Sequence, residues 1–121
     1  MKVLLGILLI VILVISGCSG SDYTKEQLDG LASCLKEKGV KEYGAFWCPN
    51  CAKQQKMFGS SYDIIKDGVY VECDPRGDDS QAELCIEKEV DKYPTWDFPN
   101  GERLIGVQQF EVLAEKSGCT L

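Results

Sequence analysis

Residues 40–51 read VKEYGAFWCPNC, and this stretch decides the fold of the chain. Residues 40–46 predict a short strand that leads into Trp47 and Cys48. Pro49 suits the first turn of the helix that follows, because the N–H it lacks would have no partner there. The stretch therefore predicts a strand, a tight connection and a helix, with Cys48 and Cys51 at the start of that helix.

The two cysteines of this motif are not equivalent. At a helix N-terminus, unpaired backbone N–H groups and the positive end of the dipole stabilise a thiolate, so we expect a lowered pKa at Cys48. Because the thiolate is the attacking species in disulfide exchange, Cys48 is the predicted nucleophile. Cys51 lies one turn inside, where we expect it to be shielded from substrates and to resolve a mixed disulfide on Cys48.

A plain disulfide and half of a zinc site are the alternatives for this pair. Zinc sites built from four cysteines use two closely spaced pairs. Eleven residues separate Cys73 from Cys85, and the chain contains no histidine. We therefore expect no metal and no cofactor apart from a redox-active disulfide between Cys48 and Cys51.

The pattern on either side of the motif predicts the rest of the fold. Thr24 and Gln27 fit a capping box that opens a helix ending near Gly39. Further elements are predicted from their periodicity and turn residues: a helix to about residue 58, a strand at 69–73, a helix at 80–90, a hairpin of 93–98 with 103–106, and a helix at 109–116. This order predicts an α/β fold in which helices cover both faces of a mixed central sheet of about four strands. A C-x-x-C that opens a helix after the first strand lies where the thioredoxin fold has its redox centre.

The composition limits the classes of function. With 121 residues the chain has room for one domain, which we place at residues 24–121 and expect to be monomeric. Its 19 acidic residues outnumber 13 basic ones, so a nucleic-acid partner is not expected.

The N-terminus predicts export. After Lys2, thirteen uncharged residues at 3–15 would span about 20 Å as a helix, less than the roughly 30 Å of a hydrocarbon core. Residues 1–17 therefore fit a secretory signal, and ISGC at 15–18 resembles a lipobox, in which the cysteine carries lipid. We expect Cys18 to be a lipid anchor and residues 18–23 to form the anchor and linker, on the outer face of the cytoplasmic membrane. The alternative is an uncleaved signal anchor with Cys18 incidental.

Several separated motifs resemble one family. They are YGAFWCPNC at 43–51, MFG at 57–59, VEC at 71–73, YPTW at 93–96 and LAEKSGC at 113–119. They look like the thioredoxin-like domain that partners homologues of vitamin K epoxide reductase. The resemblance implies that a membrane enzyme of that kind, which passes electrons to a quinone, reoxidises Cys48 and Cys51. The pair would in turn oxidise thiols of exported proteins. We expect that membrane partner to be a separate chain.

The same resemblance implies roles for other residues. Tyr93 and Pro94 match the cis-proline loop facing the reactive sulfur, the alternative being an ordinary trans strand start. Cys73 and Cys85 match a structural disulfide. Elimination then leaves Cys34 and Cys119 to form a third bridge, and two buried free thiols are the alternative.

Glu42 lies six residues before Cys48, where thioredoxins carry a buried acid that relays a proton to the resolving cysteine. A desolvated carboxyl there could act as a general base, whereas a solvated strand residue would have no role.

Three functions fit these features. The first is an oxidase that donates disulfides to exported proteins. The second reverses the electron flow, as a membrane-anchored reductase or isomerase. The third is a disulfide-stapled lipoprotein module that only binds a partner.

Overall fold

The computed structural model describes residues 22–121. The predicted signal segment at 1–17 and the predicted lipid anchor Cys18 lie outside this range. Within it, the chain forms five α-helices and four strands. The helices are α1 (Lys25–Glu37), α2 (Pro49–Phe58), α3 (Tyr62–Lys66), α4 (Ala82–Glu87) and α5 (Phe110–Ser117), and the strands are β1 (Lys41–Gly44), β2 (Tyr70–Glu72), β3 (Thr95–Asp97) and β4 (Arg103–Ile105).

The strands form one mixed sheet in the order β2-β1-β3-β4. β1 pairs in parallel with β2 and antiparallel with β3, and β4 completes a hairpin with β3. The larger hydrophobic cluster lies on one face and draws on α1, α3 and α5 as well as Trp96. The smaller cluster, around Tyr43 and Val71, includes Cys85 of α4 on the other face. The predicted α/β class and thioredoxin-like arrangement are confirmed.

Helix α1 begins as the sequence predicts. The Thr24 side chain accepts from the Gln27 N–H, and the Gln27 side chain accepts from the Thr24 N–H, which completes a capping box. The apolar stripe of this helix, which is Leu28, Leu31, Ala32 and Leu35, is buried. Tyr23, the last residue of the predicted linker, packs edge-on against Phe110 and so joins the folded unit.

Two helices differ from the prediction. The sequence placed no element between α2 and β2, but after Gly59 the chain turns through a 3-10 segment, Gly59–Ser61, into α3. Tyr62 and Ile65 anchor that short helix to the core, and one turn is too short to show a helical period. The helix predicted at 80–90 is shorter, Ala82–Glu87, because the chain leaves helical geometry at Glu89, where φ is 56°. No helix within residues 22–121 is both long and apolar enough to cross a membrane.

Candidate active site

Cys48 is the N-cap residue of α2. Its backbone is extended, at φ −75° and ψ 120°, and Pro49 occupies the first turn of the helix. The Cys51 N–H donates to the Cys48 Sγ at 3.2 Å. The sulfur thus takes the place that a serine or aspartate oxygen takes in an ordinary cap, next to the positive end of the helix dipole. The same N–H would also donate to a sulfur at this atom during exchange.

Cys51 sits in a much less polar setting. Burial, and next the hydrogen bond with Cys48, raise the pKa of the Cys51 thiol, and the nearby charge of Glu42 adds to the effect. Strand β1 has no room for a side chain at Gly44, because a Cβ there would lie 3.0 Å from the Cys51 Sγ. Gly44 therefore lets α2 approach β1 closely enough to hold Cys51 against the sheet.

The two cysteines, both free thiols, do not differ in exposure as the sequence predicted. Cys48 is 6% exposed and Cys51 is 7% exposed, so both thiols are buried and the predicted nucleophile is no more accessible than its partner. Cys51, moreover, borders a cavity of about 570 Å³ between α2, β1 and β2. Cys51 is nevertheless buried, as the sequence predicted for the resolving cysteine.

Glu42 is fully buried in β1. The sequence left open whether this residue is solvated, and the structure places it on the core face, paired with Trp96 of β3 and Tyr70 of β2. Burial raises the pKa of Glu42 to about 8, and the hydrogen bond from Tyr62 opposes this only in part. Its Oε2 has no partner among the described residues. Near neutral pH this carboxyl is protonated, and its charge when ionised raises the pKa of the Cys51 thiol.

Two tyrosines at the site were not predicted. The Tyr62 hydroxyl donates to Glu42 Oε1 at 3.4 Å, and the Tyr62 and Tyr70 rings lie 6.3 Å apart. Both line the cavity that Cys51 borders. Tyr62 could not be found from the sequence because α3 was not predicted. Tyr70 could have been found from the parallel register that sets it opposite Glu42.

The rim before Cys48 is aromatic and exposed. Phe46 is 59% exposed and Trp47 is 54% exposed. The Trp47 Nε1–H donates to Asp74 Oδ2 at 2.7 Å, and the Arg76 guanidinium lies 5.7 Å from the Phe46 ring centre. The bidentate hydrogen bond of Arg76 to Asp74 keeps the pKa of Asp74 well below its usual range, so the carboxylate stays charged while it holds the indole. The loop after β2 thereby fixes the aromatic rim.

Tyr93 and Pro94 bring a second loop to the site. The Tyr93–Pro94 peptide bond is cis, and Pro94 is buried. Tyr93 packs against the small cluster of Ala45, Cys48 and Cys51, and its ring meets Trp47 edge-on at 6.1 Å. The predicted site residues Cys48, Cys51 and Tyr93 are therefore in one place, with Pro94 next to them.

The other four cysteines in the described range are bonded in pairs. Cys34 of α1 joins Cys119 after α5, and Cys73 after β2 joins Cys85 of α4. The second bridge holds the start of the loop that carries Asp74. Across residues 22–121 no group of three or more His, Cys, Asp or Glu side chains is arranged to hold a metal ion.

The chain is similar to a protein named thiol-disulfide oxidoreductase LTO1 from Arabidopsis thaliana. The two are 37% identical over 94 residues, which cover 75% of this chain and 24% of the plant protein. The chain thus matches about a quarter of the length of that relative. No family model matches the chain.

Proposed function

We propose that this chain is a thiol–disulfide oxidoreductase that oxidises cysteine pairs of exported proteins. The observation that carries the proposal is the Cys48 Sγ at the cap of α2, where it accepts the Cys51 N–H, with Cys51 three residues on. The relative named a thiol-disulfide oxidoreductase supports the class of chemistry.

Oxidation of a substrate takes two thiol–disulfide exchange steps. A substrate thiolate attacks the Cys48 Sγ of the oxidised pair, and Cys51 leaves as a thiolate. Since its pKa is raised, Cys51 takes up a proton, and protonated Glu42 is the nearby donor. The second substrate thiolate then attacks the substrate sulfur bound to Cys48, which releases an oxidised substrate and the reduced pair.

Two features support the oxidising direction. The bonded pairs Cys34–Cys119 and Cys73–Cys85 suit an oxidising compartment. The motifs of the sequence resemble those of domains that a quinone-linked vitamin K epoxide reductase homologue reoxidises. We propose such a membrane enzyme as the electron acceptor of this chain.

The test is transfer of one disulfide. Oxidised wild-type protein is mixed with a reduced peptide that contains two cysteines, and the peptide disulfide is measured by mass spectrometry. We expect about one disulfide per protein molecule for the wild type and none for Cys48→Ala. Transfer by Cys48→Ala at the wild-type level would refute the proposal.

The direction has its own test. Free thiols are alkylated in the intact host cell, and the redox state of the Cys48–Cys51 pair is read by mass spectrometry. We expect the pair to be mostly oxidised. A mostly reduced pair would refute the oxidase and indicate a reductase or isomerase instead.

We also propose that Cys18 anchors the domain to the outer face of the membrane. Because a lipid on Cys18 would be the attachment, Cys18→Ser should move the protein from the membrane fraction to the soluble extracytoplasmic fraction. A variant that stays membrane-bound would instead indicate an uncleaved signal anchor.

A further inference from the structure

The cavity between α2, β1 and β2 has no part in the exchange of sulfur bonds described above. Its volume is about 570 Å³, and it lies beside Cys51, the resolving cysteine of the redox pair. Cys51 and Tyr62 both line it, together with charged side chains at its outer part, including Lys66, Asp78 and Asp79. A space of this size with a polar lining holds several waters.

The proton needed at Cys51 must come from solvent at each turnover. When Cys51 leaves the disulfide, it takes one proton, and reoxidation returns that proton. Glu42 is fully buried, so once it has donated, it is a carboxylate with no direct route to bulk water. Tyr62 is the described residue that both lines the cavity and hydrogen-bonds to the Glu42 side chain.

We propose that the cavity is the proton entrance and exit of the redox site, with the Tyr62 hydroxyl as the link between Glu42 and cavity water. This inference rests on the proposed exchange at Cys48 and Cys51. In the reducing half-reaction, Glu42 donates its proton to the Cys51 thiolate. The Tyr62 hydroxyl then gives its proton to Glu42 and takes one from a cavity water, which leaves Tyr62 unchanged. In the oxidising half-reaction the same proton travels outward.

The surroundings fit a neutral relay. Burial, and next the charge of Glu42, raise the pKa of Tyr62, so its hydroxyl stays protonated and can both donate and accept. The titratable groups that interact with Glu42 are Cys51 from α2, Tyr62 from α3 and Tyr70 from β2, while β3 presents the indole of Trp96. No cation among these groups competes for the carboxylate.

The test is a single-turnover oxidation of the reduced pair by a peptide disulfide at pH 7, in dilute buffer. Glu42 is protonated at this pH, so it must release its proton through the relay before it can accept the proton of Cys51. Because general acid–base steps contribute ~10²–10⁴-fold, we expect loss of the relay in Tyr62→Phe to slow the reaction about tenfold. Imidazole, which is small enough to enter the cavity, should restore the rate. Tyr23→Phe is the matched control, since it removes a hydroxyl that donates to the carboxylate of Glu111, away from the cavity. It should stay within about twofold of wild type and not respond to imidazole.

Each outcome separates this proposal from the proposed function. If wild type is oxidised and Glu42→Gln is slow, but Tyr62→Phe is as fast as wild type, only the relay is refuted. The relay is also refuted if Tyr62→Phe is slow and imidazole has no effect. If the wild-type pair does not exchange with any thiol, the proposed function fails first.

A second measurement needs no Tyr62 variant. The infrared carbonyl band of protonated Glu42 is assigned by its loss in Glu42→Gln. In D2O at pH 6, an open path predicts that this band shifts within seconds. A band that keeps its hydrogen for as long as the slowest core amides would overturn the proposal.

Discussion

Replacing Glu42 with Gln should change how stability depends on pH, because the acid is fully buried. The pKa of Glu42 in the fold is about 8, against 4.5 for an ordinary glutamate. A difference of about 3.5 pKa units, at about 1.4 kcal/mol each, means that ionising the buried carboxyl costs about 5 kcal/mol. Since folding raises this pKa, the folded state keeps a proton that the unfolded chain has released. The stabilisation is complete below pH 4.5 and is lost as the pH rises to 8.

The assay is urea unfolding from pH 5 to pH 9 in the Cys48→Ala background, where the redox pair cannot close. The parent should lose about 1.4 kcal/mol of unfolding free energy per pH unit up to about pH 8, whereas Glu42→Gln should lose little. Glu37→Gln, which alters an exposed carboxylate of α1, is the control and should keep the slope of the parent. Equal slopes for the parent and Glu42→Gln, or a parent that gains stability over this range, would refute the reasoning.

Two further substitutions test the packing under and around the site. Gly44→Ala should lower stability by about 1–3 kcal/mol, because the new Cβ would lie 3.0 Å from the Cys51 Sγ. Gly30→Ala is the matched control: nothing lies within 4 Å of its Cβ, and inside a helix it should gain about 0.4–1 kcal/mol in the same urea assay. Replacing both Cys34 and Cys119 with serine should reduce the free energy of unfolding by about 4–5 kcal/mol, since their bond closes a loop with a sequence separation of 85. A loss under about 1 kcal/mol would mean that the reduced, unfolded chain is already constrained.

Much of the fold follows from local patterns. The capping box at Thr24, the proline of α2 and the turn at Asn100 and Gly101 between β3 and β4 each fix an element through the residues beside it. Helix α3 escaped prediction because it is five residues long and buries only Tyr62 and Ile65, and two residues show no period.

Residue spacing alone predicts the site only where the chemistry is local in sequence, whereas the family resemblance also indicated the distant Tyr93 and Pro94. The spacing of Cys48 and Cys51 is visible at once, because helix geometry alone brings them together. The burial of Glu42 could not be predicted. Alternation along β1 does not show which face meets the core, and a carboxylate is ordinarily solvated. The link from Glu42 to Tyr62 depends on how α3 folds back on the sheet, and the cavity beside Cys51 depends on the space between three elements.

The most direct test of the account is which sulfur captures a substrate. Reduced Cys51→Ala and Cys48→Ala are each mixed with an excess of a peptide disulfide, and the adducts are followed by mass spectrometry. The account predicts rapid formation of a stable mixed disulfide on Cys48 in Cys51→Ala, and at least about tenfold slower labelling of the protonated Cys51 in Cys48→Ala. Labelling of Cys51 as fast as Cys48 would contradict the assignment of the helix-cap sulfur as the nucleophile.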